Sequence, residues 1–455
     1  MNLTDDKVSI LDTLDEHIPQ NAWYKDVAVI GLGFVGLPLA LSFSLRGCNV
    51  IGVDINKRLV EEINDGVTAH KESFYDIPIT DILKREIERK HFYATANISD
   101  VLDDCHNFII TVGIPIVNGE HEMEYLESAC TELGKGLKQG DLVIVRSTVV
   151  PGTTEEVIKP LLESTSGLKA GDDFYLAYSS ERIAEGRAFQ EFADMPILVA
   201  GVDELSTTKA KELLSIVCKA EVIPASSIKV VETAKVFENV QRDVNIAMVQ
   251  EFARFTEALG IDIFEVVKLA NTHKRVKLLA PGPGVGGYCL PNAYYYLKPK
   301  AEQMGISLGL LELARKENDA VPQIIVDMLE RALADNGKHL NGADIAVLGL
   351  AMKDYSNDAR ISPPLEIVNI LLQKQANVKA FDPAVDGDYP YKVDDINECI
   401  SDVDAVMILA KQHEIDSSIN KVLSEVPEGT VVLDTRDIRL LAEPALLSRV
   451  RYVCI

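Results

Sequence analysis

Short runs of consecutive apolar residues, most closed by glycine, proline or a polar residue, recur along the chain and are separated by longer stretches with helical spacing. Runs at 27–30, 50–53, 108–112, 142–145 and 174–177 predict a first series of strands. A second series lies at 344–348, 380–381, 405–409 and 431–433. The alternation of strand-like runs with helix-like stretches predicts parallel sheets with crossover helices. Between the two series, residues 227–260 form one amphipathic run without proline, with Val230, Val231, Ala234, Phe237 and Val244 at helical spacings. Such a run exceeds an ordinary globular helix. The expected fold is α/β, with two parallel-sheet domains joined by a long central helix and a helical domain. The expected boundaries are an extension at 1–24, a first sheet domain at 25–220, a central helical domain at 221–325 and a last sheet domain at 326–455. Within the extension, residues 8–18 have helical spacing and predict a surface helix.

The first apolar run ends in Gly31-Leu32-Gly33-Phe34-Val35-Gly36, a helix-like run follows, and the next strand ends in Asp54. This is GxGxxG between a strand and a helix, with an acid at the end of the second strand, the fingerprint of a Rossmann-like dinucleotide site. Gly31 permits the turn, Gly33 lets a pyrophosphate approach the backbone, and Gly36 lets helix and sheet pack closely. The helix N-terminus offers unpaired N–H groups to phosphate. Asp54 is placed to accept from ribose hydroxyls and to repel a 2′-phosphate, which favours NAD over NADP. Thr111, Ser147 and Thr148 stand at ends of later strands, on the side where open sheets bind ligands. Gly31, Gly33, Phe34, Val35, Gly36, Asp54, Thr111, Ser147 and Thr148 are therefore the expected cofactor residues. The second series begins with a strand and glycine turn around Gly349 that lack the full fingerprint. Lys353 and Arg360 follow, where an anionic group is expected.

Residues 281–297 read PGPGVGGYCLPNAYYYL, a rigid turn leading straight to Cys289. Two readings of this cysteine are open: a nucleophile presented by tight backbone, or a buried small hydrophobe. Two are likewise open for Glu181, an acid/base group at a strand end or a surface carboxylate paired with Arg182. Lys235 and Asn239 lie four apart and so share a helix face; the lysine either snorkels to solvent or serves a site.

Composition narrows the field. The 455 residues suffice for about two to four domains with real cores. A net charge of -25, from 70 acids against 45 Lys and Arg, disfavours nucleic acid and anionic membranes as partners. Seven cysteines without paired spacing suggest reduced thiols, and no CxxC or HExxH points to a metal. The N-terminus lacks a signal-like apolar core and no run is long enough to span a bilayer, so a cytoplasmic location is expected.

With these residues in hand, the sequence resembles the UDP-sugar 6-dehydrogenase family from about Val27 onward. The likeness covers Gly31 to Gly36, the run STVVPGT at 147–153, Glu181-Arg182, and the helical segment Ala234-Lys235-Val236-Phe237-Glu238-Asn239 with Arg242, Asn245 and Glu251. It continues through 281–297, Gly349 to Lys353, Arg360, Ser362, Pro363 and Asp434-Thr435-Arg436. The resemblance implies an NAD-binding first domain, a helical centre that forms a homodimer, and a last domain that helps hold UDP. It implies four-electron oxidation of a sugar C6 hydroxyl through a thiohemiacetal and thioester on Cys289. Lys235 would stabilise the oxyanion, Asn239 would bond that oxygen or a water, and Glu181 would act at hydrolysis. Arg242, Arg275, Gly286, Lys353, Arg360 and Arg436 would be candidate contacts for substrate. Residues 186–192 and the 281–287 turn favour a UDP-N-acetylhexosamine, UDP-ManNAc or UDP-GlcNAc, with UDP-glucose as the alternative. Tyr288 stands where histidine is common in that branch, and Ser180 where proline is common. One departure matters more: the aspartate usual in Cys-x-Pro-x-Asp is Ala293 here. Asn292 or Glu181 covering its role, slow hydrolysis, and a catalytically impaired sugar-nucleotide-binding protein are the readings that follow.

Overall fold

The computed structural model describes residues 21–455 except Asn118 and Glu185; the expected helix at 8–18 lies outside them. The chain divides into two compact units. The first runs to Phe237 and includes Tyr295–Met304; the second comprises Glu238–Tyr294 and Gly305–Ile455.

The first unit is built on an eight-stranded sheet. Its strands are β1 (Asp26–Ile30), β2 (Asn49–Val53), β3 (Phe92–Thr95), β4 (Asn107–Ile110), β5 (Leu142–Val145), β6 (Tyr175–Ser179), β7 (Ile197–Gly201) and β8 (Val222–Pro224). The order is β8-β7-β6-β5-β4-β1-β2-β3. All neighbours are parallel except β6 and β7, which run antiparallel with Ala177 opposite Gly201. Alternate residues of β1 enter different cores: Val27 and Val29 pack on one face, Ala28 and Ile30 on the other. That two-sided burial is why the strands read as unbroken apolar runs. Helix α1 (Gly36–Ser44) is buried along its whole length beside β1 and β2.

The long amphipathic run forms helix α2 (Ile228–Leu259), 32 residues without interruption. The unit boundary falls within it, after Phe237. Helix α3 (Ala293–Gln303) begins four residues after Cys289, and α4 (Gly309–Asp335) follows.

The second unit holds a smaller, five-stranded sheet of β9 (Asp344–Leu348), β10 (Asn377–Phe381), β11 (Ala405–Ile408), β12 (Val431–Asp434) and β13 (Arg451–Cys454). Its order is β10-β9-β11-β12-β13 and every pair is parallel. Again alternate residues divide between two cores, Ile345 and Val347 on one face and Ala346 and Leu348 on the other. Helix α5 (Pro363–Gln373) packs on α4. Among the described residues no helix is long and apolar enough to cross a membrane.

Candidate active site

In the first unit the glycine turn leaves β1 at Gly31, whose φ of +98° places it in the left-handed region that glycine alone adopts readily. Its N–H donates to Val53 O at 2.7 Å, and the next N–H, of Leu32, donates to Asp54 Oδ2 at 2.9 Å. The other Asp54 oxygen accepts from Asn56 N at 2.9 Å. The acid at the end of β2 therefore fixes the turn it faces. A Cβ on Gly36 would lie 1.7 Å from Gly31 O, whereas a Cβ on Gly33 would meet no atom within 4 Å. Gly36 is glycine because turn and helix touch; Gly33 is not crowded by protein, which leaves its backbone open to a ligand. Thr111 Oγ1 donates to Gly31 O at 2.7 Å, and Ser147 Oγ donates to Val112 O at 2.6 Å. Thr148 is half-buried beside Ser147, Val35 flanks the start of α1, and Phe34 is exposed with its ring edge-on to His70. These residues meet at the carboxyl ends of β1, β2, β4 and β5. The open approach at Gly33 and the helix start behind it fit the pyrophosphate of NAD.

The second unit repeats the device. Gly349, at φ +90°, donates its N–H to Phe381 O at 2.9 Å, and Leu350 N–H donates to Asp382 Oδ2 at 2.7 Å. Asp382 also accepts from Ala351 N at 3.1 Å and, through Oδ1, from Ala384 N at 2.9 Å. Here the carboxylate is 1 % exposed. It holds loops together and has no face left for a ribose.

The cysteine loop packs against the turn that follows β9. Gly287 N–H donates to Ile361 O at 3.2 Å, and a Cβ on Gly286 would come within 2.6 Å of that same oxygen and 2.7 Å of Pro363. From α2, Gln250 Nε2 donates to Gly282 O at 2.9 Å. The glycines thus let the loop lie flat on the segment bearing Lys353 and Arg360. Arg360 forks onto Asp358 and Arg436 pairs with Asp354. Cys289 emerges exposed, while Cys48, Cys105, Cys130, Cys218 and Cys399 are buried and Cys454 is half-buried. The reading of Cys289 as a buried hydrophobe is thereby overturned. Ala293 is buried at the first position of α3.

Lys235 and Asn239 lie one turn apart on α2 and are 7 % and 6 % exposed. Among the described residues neither side chain has a hydrogen-bond or ion-pair partner. The Lys235 stem is buried, yet neither its Nζ nor the Asn239 amide is fully buried, so both stay accessible to a ligand.

Glu181 is not a surface loop acid. Strand β6 continues to Ser179, and the Glu181 side chain turns inward: Oε2 accepts from Arg146 Nε at 2.8 Å and Oε1 from the N–H groups of Arg182 and Ile183 at 2.6 and 2.7 Å. Arg146 is 2 % exposed, reaches Ser179 Oγ at 3.1 Å and stacks over Phe192. Its partnership with Glu181 was legible only as a lone charge ending an apolar strand. Glu232 was also missed. No threonine side chain caps the helical turn after Pro151; the Glu232 carboxylate, fully buried on α2, accepts from Gly152 N and Thr154 N at 2.5 and 3.0 Å instead. Burial pushes its carboxyl up, opposed by those backbone bonds. Arg242 and Arg275 are exposed. Among the described residues no cluster of three or more His, Cys, Asp or Glu could hold a metal.

Three family descriptions match in chain order. Residues 25–218 match the NAD binding domain of the UDP-glucose/GDP-mannose dehydrogenase family, 229–320 its central domain and 346–439 its UDP binding domain. The UDP-N-acetyl-D-mannosamine dehydrogenase of Pyrococcus horikoshii is 35% identical over 412 residues, covering 90% of this chain and 95% of its own. A UDP-N-acetyl-D-glucosamine 6-dehydrogenase of Pseudomonas aeruginosa is 37% identical over 366 residues, covering 79% and 83%. The solved structure of UDP-D-ManNAc dehydrogenase from Pyrococcus horikoshii matches with a TM-score of 0.85 at 34% identity, covering 94% of this chain and 99% of that one.

Proposed function

This chain belongs to the UDP-glucose/GDP-mannose dehydrogenase family and is an NAD-dependent UDP-sugar dehydrogenase; from that premise we propose that its substrate is a UDP-N-acetylhexosamine, UDP-ManNAc or UDP-GlcNAc, oxidised at C6 from alcohol to carboxylate. Both relatives described above bear names of that substrate class. The observation that carries the catalytic reading is Lys235, a lysine more than nine-tenths buried without a partner among the described residues.

The Gly31–Gly36 turn, Asp54, Thr111, Ser147 and Thr148 would hold NAD, which would supply the hydride acceptor for each of the two oxidations. The Cys289 sulfur adds to the C6 aldehyde and the new C–S bond gives a thiohemiacetal. The Lys235 ammonium stabilises the oxygen that carries the developing negative charge, and Asn239 donates to it or orients a water. Loss of the second hydride leaves a thioester on Cys289. Water adds to its carbonyl, the C–S bond breaks, and Cys289 departs as a thiolate that is reprotonated. Covalent capture keeps the aldehyde from escaping between the two oxidations. In the second unit, Gly286, Lys353, Arg360 and Arg436 are the groups we assign to the nucleotide diphosphate. Arg242 and Arg275, both exposed, are assigned to substrate contacts that a second subunit completes. Homodimerisation through the second unit supplies that subunit: Met248, Phe252, Phe255 and Leu259 form an exposed apolar stripe along α2.

Purified chain is mixed with NAD and UDP-ManNAc, UDP-GlcNAc or UDP-glucose, and NADH is counted per sugar consumed. Two NADH per N-acetylhexosamine supports the reading. Preference for UDP-glucose moves the substrate assignment to that sugar, and binding of UDP-sugar without NADH favours an impaired sugar-nucleotide-binding protein.

A further inference from the structure

Once Cys289 holds an acyl group, the oxyanion that forms when water adds has room for a donor besides Lys235 and Asn239. Glu181 has both carboxylate oxygens engaged, one by the Arg146 guanidinium and the other by two backbone N–H groups. Position 293 carries only a methyl group. Asn292 differs from both. It lies in the same turn as Cys289 and immediately precedes α3, where an asparagine side chain ordinarily accepts from an N–H of the first helical turn. No such bond forms among the described residues. The Asn292 side chain is 7 % exposed, and its Nδ2 is wholly buried without an acceptor. Buried amide donors nearly always find a partner, so an orphan in the turn that presents the one exposed cysteine calls for a ligand atom.

We infer that Asn292 is a catalytic residue of the hydrolytic half-reaction, its side-chain N–H donating to the acyl oxygen of the Cys289 thioester. The inference rests on the covalent mechanism proposed above. In the step it serves, water oxygen bonds to the acyl carbon, the carbonyl electron pair moves onto oxygen, and Asn292 Nδ2–H stabilises that oxyanion. The pair then returns, the C–S bond breaks, and Cys289 sulfur leaves as thiolate and takes up a proton from the added water. The acid ionises, releasing its proton to solvent; no oxidation state changes. An amide cannot serve as a base at ordinary pH. With neither Ala293 nor Glu181 supplying one, deprotonation of the attacking water falls to solvent hydroxide, and hydrolysis accelerates with rising pH.

The test uses the full chain, its best UDP-sugar from the panel and NAD, following NADH by stopped flow and the protein by intact mass. For Asn292→Val the expected result is a burst of two NADH per active site, which itself reports a folded enzyme. A steady rate slower on the order of a hundredfold follows, with an acyl adduct on Cys289 as the main species. Asn292→Asp should accumulate the same adduct, because a carboxylate repels an oxyanion. Ala293→Asp should flatten the pH dependence of hydrolysis. Unchanged turnover without adduct in Asn292→Val overturns the inference while leaving the dehydrogenase reading intact. Turnover by Asn292→Asp at or above the original rate overturns the donor role in favour of a base. Absence of NADH from the unaltered chain removes the covalent mechanism and this inference with it.

Discussion

Arg146 and Glu181 meet inside the first unit with Nε and Oε2 2.8 Å apart, the arginine side chain 1 % and the glutamate side chain 11 % exposed. The pair joins the ends of β5 and β6, and the glutamate also holds the backbone at Arg182 and Ile183. Replacing Glu181 by Gln leaves a buried guanidinium without its counter-charge, a loss expected to destabilise the chain by about 3–5 kcal/mol. Urea unfolding of Glu181→Gln measures it. Unaltered stability combined with slow thioester hydrolysis would return Glu181 to an acid/base role.

Lys235 should show the opposite balance. Lys235→Met keeps the packing of the buried stem, so thermal stability should hold within about 0.5 kcal/mol. NADH formation should fall on the order of a hundredfold or more as oxyanion stabilisation is lost. A variant both less stable and fully active contradicts the assignment.

The two inner glycines of the turn separate folding from binding. Gly33→Ala adds a methyl group where no protein atom lies within 4 Å, so melting temperature should hold while KM for NAD rises severalfold. Gly36→Ala drives its Cβ onto the Gly31 carbonyl and should lower the melting temperature itself. Equal behaviour of the two variants, by calorimetry and by NAD titration, would refute this division.

In the second unit Asp243 accepts from Arg315 Nη1 at 2.6 Å and from Asn318 Nδ2 at 2.8 Å, yet burial outweighs these bonds and pushes its carboxyl up to about 6. The folded state therefore holds this proton more tightly than the unfolded chain, whose carboxyl titrates near 3.8. The contribution is fully present below about 4 and is lost as pH rises through about 6, an effect of up to about 3 kcal/mol. Denaturant melts of the native chain and Asp243→Asn from pH 4 to 7 should diverge in that window, the native chain losing stability relative to the variant. Parallel curves would show that Asp243 does not titrate there.

Phe252 and Phe255 are 41 % and 66 % exposed on α2, between Met248 and Leu259. Phe252→Glu with Phe255→Glu should convert a dimer to monomer in sedimentation velocity, because two buried carboxylates at an apolar interface lack partners. Persistence of the dimer places the interface elsewhere.

Much of this protein is local. The strands that form the middle of each sheet, β1, β2, β4 and β5 in the first and β9, β11 and β12 in the second, are apolar runs because both faces are covered. The glycine turn is legible because Gly31, Gly36 and Asp54 satisfy constraints within one strand–turn–helix–strand unit. Helix α2 follows from a single uninterrupted period. The strands β3, β7, β8 and β13 are short or nearer the sheet edges and leave weaker patterns.

What the sequence by itself determined, then, is element type, the dinucleotide turn and the order of the sheets, since each depends on residues close together in the chain. Tertiary structure alone decided that Glu181 faces Arg146, that Glu232 rather than a threonine caps the Gly152 turn, and that Asp382 is consumed where its counterpart Asp54 stays partly open. Among the described residues, it alone left Asn292 Nδ2 buried without a partner and left Lys235 and Asn239 without protein partners. Whether a polar group is satisfied depends on atoms brought near it from distant parts of the chain, and that proximity has no periodicity to read.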